Sequence, residues 1–153
     1  MKPWIWLRVG AALQALGTVL HTIATTARPY HGPAEEAVFA AMQSFHFVIM
    51  GANRSHWDFY RGYELSITVA FGVLAVLIWQ LSNLSRSEPR QAVPFIVTVL
   101  AAEVLWSAIG WEYFFAGPGG MSILIGACLT AALRGLRKND QPALASTRVV
   151  RAG

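Results

Sequence analysis

Four long runs of apolar residues dominate the chain, and polar stretches separate them. The runs cover residues 4–26, 63–81, 95–115 and 121–136. Between the last three runs we expect a short polar loop over residues 83–94 and a tight turn at residues 116–120. About 20 apolar residues cross the hydrocarbon core of a bilayer at about 1.5 Å per residue, so we predict four membrane-spanning helices. Neighbouring helices with short connections pack antiparallel. The predicted fold is therefore an all-α integral membrane protein, a four-helix transmembrane bundle.

The longest polar interval lies between the first two runs. Gly32-Pro33, followed by two glutamates, indicates a helix start, because carboxylates favour the positive end of the helix dipole. We expect this helix to reach about Met50, to end at Gly51 as its C-cap, and to lie in the membrane interface. A fifth spanning helix is the alternative. Residues 53–62 are expected to form a loop.

The composition agrees with a membrane location. Hydrophobic residues make up 55% of the chain and charged residues only 13%, whereas roughly a quarter of a soluble domain is charged. We expect one transmembrane domain, residues 1–136, and a basic, disordered cytoplasmic tail, residues 137–153. A cleaved signal peptide is the alternative for the first run, but that run is long for one and is interrupted by Arg8, Gln14 and His21.

The positive charges predict an orientation. Of the twelve lysines and arginines, nine lie at the N-terminus, in residues 83–94 or near the C-terminus. The other three are Arg28, Arg54 and Arg61. Because cytoplasmic loops carry the excess of positive residues, both termini are expected in the cytoplasm, with the protein in a bacterial inner membrane.

The densest polar chemistry lies in residues 54–64, which hold four charged residues, a histidine and four aromatics. On the expected orientation this stretch faces outward and forms the rim of a ligand pocket. The predicted ligand contacts are His46, Arg54, His56, Trp57, Asp58, Tyr60, Arg61, Ser107 and Glu112. The alternative is a structural cap, in which the aromatics anchor at headgroup depth and Asp58 pairs with Arg54 or Arg61.

Three residues are predicted to carry acid/base chemistry: His21, Glu64 and Glu103. Measured from the middle of each run at about 1.5 Å per residue, His21 and Glu64 lie about 9 and 12 Å outward. Glu103 lies near the midplane, where a charged carboxylate is costly and is expected to be neutral or paired. For His21 the alternatives are a hydrogen-bonded packing residue and a metal ligand. Glu103 and Glu112 point in opposite directions on a straight helix, so we expect Ser107, one turn from Glu103, to share its interior face.

Several chemistries are excluded. The chain has no phosphate-binding glycine loop, HExxH, CxxC or Glu-x-x-His motif, so no metal and no cofactor is predicted. One cysteine, Cys128, allows no intrachain disulfide. The basic residues follow the topology signal, so nucleic acid is not an expected partner. The expected partners are the lipid bilayer, a small amphiphilic ligand and a second copy of the chain.

The stretch from Ser55 to Glu64, after a first helix bearing His21, resembles a group of small bacterial four-span membrane proteins. The resemblance covers residues 4–135 and implies a layout without implying an activity. More distantly, four spans with inward carboxylates are similar in topology to the EXPERA group, which includes sterol isomerases and sterol-binding receptors. No catalytic residue is transferred from that group.

Together these features predict an outward-facing polar pocket for a small hydrophobic or amphiphilic molecule. Glu103 or Glu64 would shuttle a proton and His21 would accept or orient it, as isomerase, cyclase or hydrolase chemistry requires. Whether the protein is an enzyme stays open. The alternatives are a non-catalytic structural or partner-binding subunit, and a small proton-coupled transporter acting as an oligomer.

Overall fold

The computed structural model describes residues 1–27 and 31–138 in full and the helical backbone of residues 139–151. Its elements, in chain order, are α1 (Pro3–Ala27), α2 (Pro33–Ser44), β1 (His46–Ile49), β2 (Ala52–Ser55), α3 (His56–Ser87), α4 (Pro89–Tyr113) and α5 (Ala116–Arg151). The predicted tail lies, from residue 139 on, outside the residues whose side chains are described. Its predicted disorder stays a prediction.

Four helices in the described part are long and apolar enough to cross a membrane: α1, α3, α4 and the segment Ala116–Lys138 of α5. Their most apolar stretches have mean hydropathies of 1.2 to 2.0, yet only 17% to 33% of those residues are buried. So much exposed apolar surface suits hydrocarbon rather than water. The chain is a multi-pass α-helical membrane protein, and the predicted fold class is confirmed.

The chain divides into two compact units, and the first comprises residues 1–17 and 72–153. All four spanning helices contribute to it. Its core includes Leu7 of α1, Ile78 of α3, Ile96 of α4 and both Ile125 and Leu129 of α5, each at most 1% exposed. Lipid tails are as apolar as these side chains, so the hydrophobic effect does not hold the helices together within a membrane. Close van der Waals packing stabilises the four-helix arrangement instead.

The end of α4 and the start of α5 approach each other very closely. A Cβ placed on Gly110 would lie 2.7 Å from the backbone nitrogen of Gly119 and 2.9 Å from its Cα. The hydroxyl of Ser107 donates to the carbonyl of Gly119 at 3.3 Å. The expected turn at residues 116–120 is instead the first turn of α5, where Pro118 is tolerated because first-turn N–H groups have no partner within the helix.

A single residue, Glu88, links α3 to α4. The expected polar loop over residues 83–94 is therefore wrong. A polar stretch can stay helical at the membrane surface, because a long side chain such as Arg86, in the last turn of α3, reaches the polar interface from within the helix. The helix break falls at Pro89, the first residue of α4, where a proline costs no hydrogen bond.

The second unit, residues 18–71, holds the end of α1, α2, a β-hairpin and the start of α3. The expected helix to Met50 is wrong, because α2 ends at Ser44 and an antiparallel pair of strands follows. Met50 and Gly51 have φ of 50° and 82°, as a tight type I′ hairpin turn requires. Gly51 is thus a turn residue and not a helix C-cap.

Candidate functional site

The first turn of α3 is fixed by its own side chains. The backbone N–H of Ser55 donates to Oδ2 of Asp58 at 2.8 Å, and the N–H of Asp58 donates to Oγ of Ser55 at 3.2 Å. This reciprocal pair is a capping box. It makes residues 56–62 helical, so the predicted loop is wrong. In the described part Asp58 bonds to Ser55 and not to Arg54 or Arg61.

One turn further along α3, Arg61 joins two elements. Its Nη1 donates to Oε2 of Glu64 at 2.7 Å and to the carbonyl of Thr25 at 3.0 Å. Thr25 lies in the last turn of α1, where carbonyls have no partner within the helix and the dipole is negative. Arg61 therefore caps α1 while holding the Glu64 carboxylate, whose side chain is only 13% exposed.

The imidazole of His21 lies against the same face of α3. Its Nδ1 is 3.0 Å from the hydroxyl of Thr68, which in turn donates to the carbonyl of Glu64 at 3.1 Å. A hydroxyl has one proton. With that proton donated to the carbonyl, both contacts are satisfied when His21 donates to Thr68, so we assign the proton of the neutral ring to Nδ1. The ring also makes an edge contact with Phe71 at a centroid distance of 5.7 Å.

The opposite nitrogen of that ring, Nε2, has no hydrogen-bond partner among the described residues. In the neutral tautomer set by Thr68, Nε2 carries a lone pair. Thr68 thus contacts both the His21 ring and the backbone carbonyl of Glu64, and a catalytic role for His21 and Glu64 stays a prediction. The hydroxyl between them was missed. Its position four residues after Glu64 was the available signal.

Glu103 lies in the interior of the first unit and is 2% exposed. Its carboxyl group contacts Ser122 of α5, and its Oε1 has no hydrogen-bond partner among the described residues. Ser107 is half-buried and bonds to Gly119, which is a packing contact. Glu112 is exposed, so it does not share the interior with Glu103. A common pocket of Glu103 with His21 and Glu64 stays a prediction.

An aromatic cluster attaches the hairpin to α3. His56 stacks on Phe45 at 5.6 Å and contacts Phe47 at 5.1 Å. Phe47 stacks on Phe59 at 5.7 Å. Two predicted ligand contacts, Trp57 and Tyr60, stack on each other at 5.7 Å, and Phe39 of α2 packs on Trp57. These contacts fit the structural-cap alternative, and a ligand role for His56, Trp57 and Tyr60 stays a prediction.

The remaining predicted contacts lie on the hairpin and make local bonds. His46 begins β1, where its ring bonds through Nδ1 to the carbonyl of Ser44 at 3.1 Å. The sequence predicts that His46 lies in a helix, but the structure places it in a strand. Arg54 of β2 donates to the carbonyl of Asn53 at 2.8 Å. Both side chains are exposed, and in the described part neither bonds to His21, Arg61 or Glu64.

The start of α2 carries a separate electrostatic contact. The backbone N–H of His31 donates to Oε2 of Glu35 at 2.9 Å, and the His31 ring lies 3.0 Å from the same oxygen. The backbone hydrogen bond, assisted by the ring, lowers the pKa of Glu35. This contact lies at the start of α2 and involves no predicted site residue.

No group of three His, Cys, Asp or Glu side chains is close enough to hold a metal ion in the part of the chain that the structure describes. The second unit holds an imidazole and a carboxylate–guanidinium pair on the same face of α3, which can bind a hydroxyl or carbonyl group and accept a proton. Comparison of the chain with protein-family models, curated proteins and solved structures finds no match.

Proposed function

We propose that this membrane protein binds a small amphiphilic molecule and that Nε2 of His21 contacts its polar group. The observation that carries the proposal is the orientation of the imidazole. Thr68 holds Nδ1, so Nε2 is presented as an acceptor. An ionisable side chain within a membrane span is costly to keep and is usually functional.

The same geometry supports proton transfer. A base must lie within hydrogen-bond reach of the proton that it takes, and His21 meets this condition for a molecule bound at Nε2. In an isomerisation, Nε2 would remove a proton from a carbon beside a carbonyl and return it to another carbon of the same molecule. Charge then balances without a further reactant. The Arg61–Glu64 pair would orient a polar substituent at the outer end.

Structural locking of α1 to α3 is the alternative, and the same bonds support it. Thr68 and Arg61 each connect the two helices whether or not a ligand is present. The two functions differ at one atom, because locking uses Nδ1 of His21 and binding uses Nε2. Substitutions that separate the two nitrogens therefore separate the two functions.

His21→Asn and Thr68→Val make that separation. Asparagine places an amide donor where Nδ1 was and has nothing at Nε2, whereas the valine removes the tie to the ring and leaves Nε2 in place. Small molecules extracted from the purified proteins would be quantified by mass spectrometry. We expect an amphiphile at near one per chain in the wild type, about tenfold less with His21→Asn, and unchanged thermal stability in that variant.

Equal amounts of every extracted molecule in the wild type and His21→Asn would contradict binding at Nε2. If Thr68→Val also lowered the thermal stability while the extracts stayed the same, the structural alternative would be correct. Ser66→Ala is the matched control on α3, because Ser66 is exposed and its hydroxyl bonds only to the carbonyl of Gly62 within the helix.

We further infer that the protein lies in a bacterial inner membrane with both termini in the cytoplasm. Nine of twelve lysines and arginines occur on the side of the termini, which supports this orientation by the positive-inside rule. The His21 site would then open toward the outer leaflet.

A further inference from the structure

A cleft of about 470 Å³ opens at one end of the first unit, where α1 and α4 begin and α3 ends. Its walls include Lys2 and Trp4 from the start of the chain and Arg86 from the last turn of α3. Pro89 and Leu136 add apolar surface. The cleft is therefore cationic on one side and apolar on the other.

The cations at this end of the unit lie against aromatic rings rather than against described carboxylates. The guanidinium groups of Arg8 and Arg86 both lie 5.1 Å from the centroid of the Trp4 ring, so two cations share one indole. Neither arginine, nor Lys2, forms an ion pair with a described carboxylate. The nearest acid along the chain, Glu88, has an exposed side chain at the start of α4. Cations without a described carboxylate beside them attract an anion to this end of the unit.

Arg8 gives a second indication of a missing partner. Its guanidinium also lies 4.7 Å from the centroid of the Trp79 ring, so it contacts two indoles. Its Nε is buried and has no hydrogen-bond partner among the described residues. Buried donors are normally bonded. The starts of α1 and α4 add the positive ends of two helix dipoles to the same end of the unit.

We propose that this cleft binds the phosphate of an anionic membrane lipid. Arginine forks match phosphate oxygens in pairs, and tryptophans such as Trp4 and Trp79 favour the depth of lipid headgroups. The apolar surface of Pro89 and Leu136 suits the glycerol and first acyl carbons. Basic pockets between spanning helices at a membrane surface bind anionic headgroups in this manner. The inference does not depend on His21 or its proposed ligand.

The test uses the full chain in nanodiscs of phosphatidylcholine, alone or with phosphatidylglycerol, and counts bound lipid by native mass spectrometry. Arg86→Gln removes one cation that lines the cleft. Arg134→Gln is the matched control, because it removes the same charge from α5 at a position two residues, or about 200° around the helix, from Leu136. We expect retained phosphatidylglycerol in the wild type and in Arg134→Gln, and about tenfold weaker retention in Arg86→Gln.

Equal retention of the two lipids by the wild type would overturn the proposal, as would equal losses in Arg86→Gln and Arg134→Gln. A second arm adds inorganic phosphate at the same concentration as the anionic lipid. If phosphate displaces the retained lipid, the cleft recognises a free anion and the lipid assignment is wrong. Circular dichroism of each variant shows that the helices are intact. If Arg86→Gln is unfolded, Lys2→Gln takes its place with the same expectation.

Discussion

The single hydroxyl proton of Thr68 determines which nitrogen of His21 is available. It is committed to the carbonyl of Glu64, so the ring must donate through Nδ1. In ¹⁵N NMR of the wild type we expect Nε2 to resonate as the unprotonated nitrogen of neutral His21. Thr68→Val should bring the two ring nitrogens closer to equal occupancy. Thr98→Val, which removes only an exposed hydroxyl bonded within α4, should leave the His21 signals unchanged.

A wild-type spectrum with protonated Nε2 and bare Nδ1 would contradict this assignment and remove the base that we propose. The sequence contained half of this arrangement, since Glu64 and Thr68 are one helical turn apart. It did not contain the other half. Which residue of α3 faces His21 depends on the rotation of α1, and interhelical packing decides that rotation.

The close approach at Gly110 gives a prediction about packing. Gly110→Ala would drive a methyl group to within 2.7 Å of the backbone of Gly119, and backbone cannot move aside as a flexible side chain can. Overpacking of this kind costs about 1–3 kcal/mol, so we expect easier unfolding in denaturant titrations. Gly120→Ala is the control, because nothing lies within 4 Å of its added Cβ. Equal stability of the two variants would show that the helix ends separate at little cost.

At the scale of elements, the sequence located the helices better than it located their ends. The apolar runs correctly predicted α1, α3, α4 and α5, but α3 starts seven residues earlier than predicted. The missed signal was Ser55-x-x-Asp58, which is a helix-start motif and was treated as part of a loop. Phe47, Val48 and Ile49 favour a strand, and with Gly51 they indicated a hairpin where a helix end was expected.

The start of α2 should respond to pH. The pKa of Glu35 is lowered in the fold from its usual value of 4.5. The stabilisation that its ionised carboxylate gives to the start of α2 is therefore complete above pH 4.5. It is lost as the pH falls through the lower, folded value. We expect the protection of the His31 amide from hydrogen exchange to fall in that window. Glu35→Gln should weaken protection above that window and match the wild type below it, whereas Glu36→Gln should behave as the wild type throughout. Equal protection of the His31 amide in the wild type and in Glu35→Gln at neutral pH would contradict a role for the carboxylate.

At the scale of the whole molecule, hydropathy was sufficient to predict a membrane protein, because it depends on composition alone. The length of α3 was not predictable in the same way. Its 32 residues extend about 48 Å, well beyond a hydrocarbon core of about 30 Å. The polar end of a helix that extends beyond the hydrocarbon core has the composition of a loop. The sequence therefore predicts a loop at Arg61, which lies within α3.

The predicted orientation can be tested with the cysteine chemistry of this chain. Cys128 is 6% exposed in the core, so it gives little background with a membrane-impermeant maleimide. Met50→Cys places a thiol on the fully exposed hairpin turn, and Arg137→Cys places one at the end of the spanning segment Ala116–Lys138 of α5. With both termini in the cytoplasm, intact spheroplasts should label the first variant and not the second. Lysis should expose both. Labelling of Arg137→Cys and not of Met50→Cys in intact spheroplasts would show that the orientation is the opposite of the predicted one. The His21 site would then open toward the cytoplasm, and its ligand would have to be a cytoplasmic molecule or an inner-leaflet lipid.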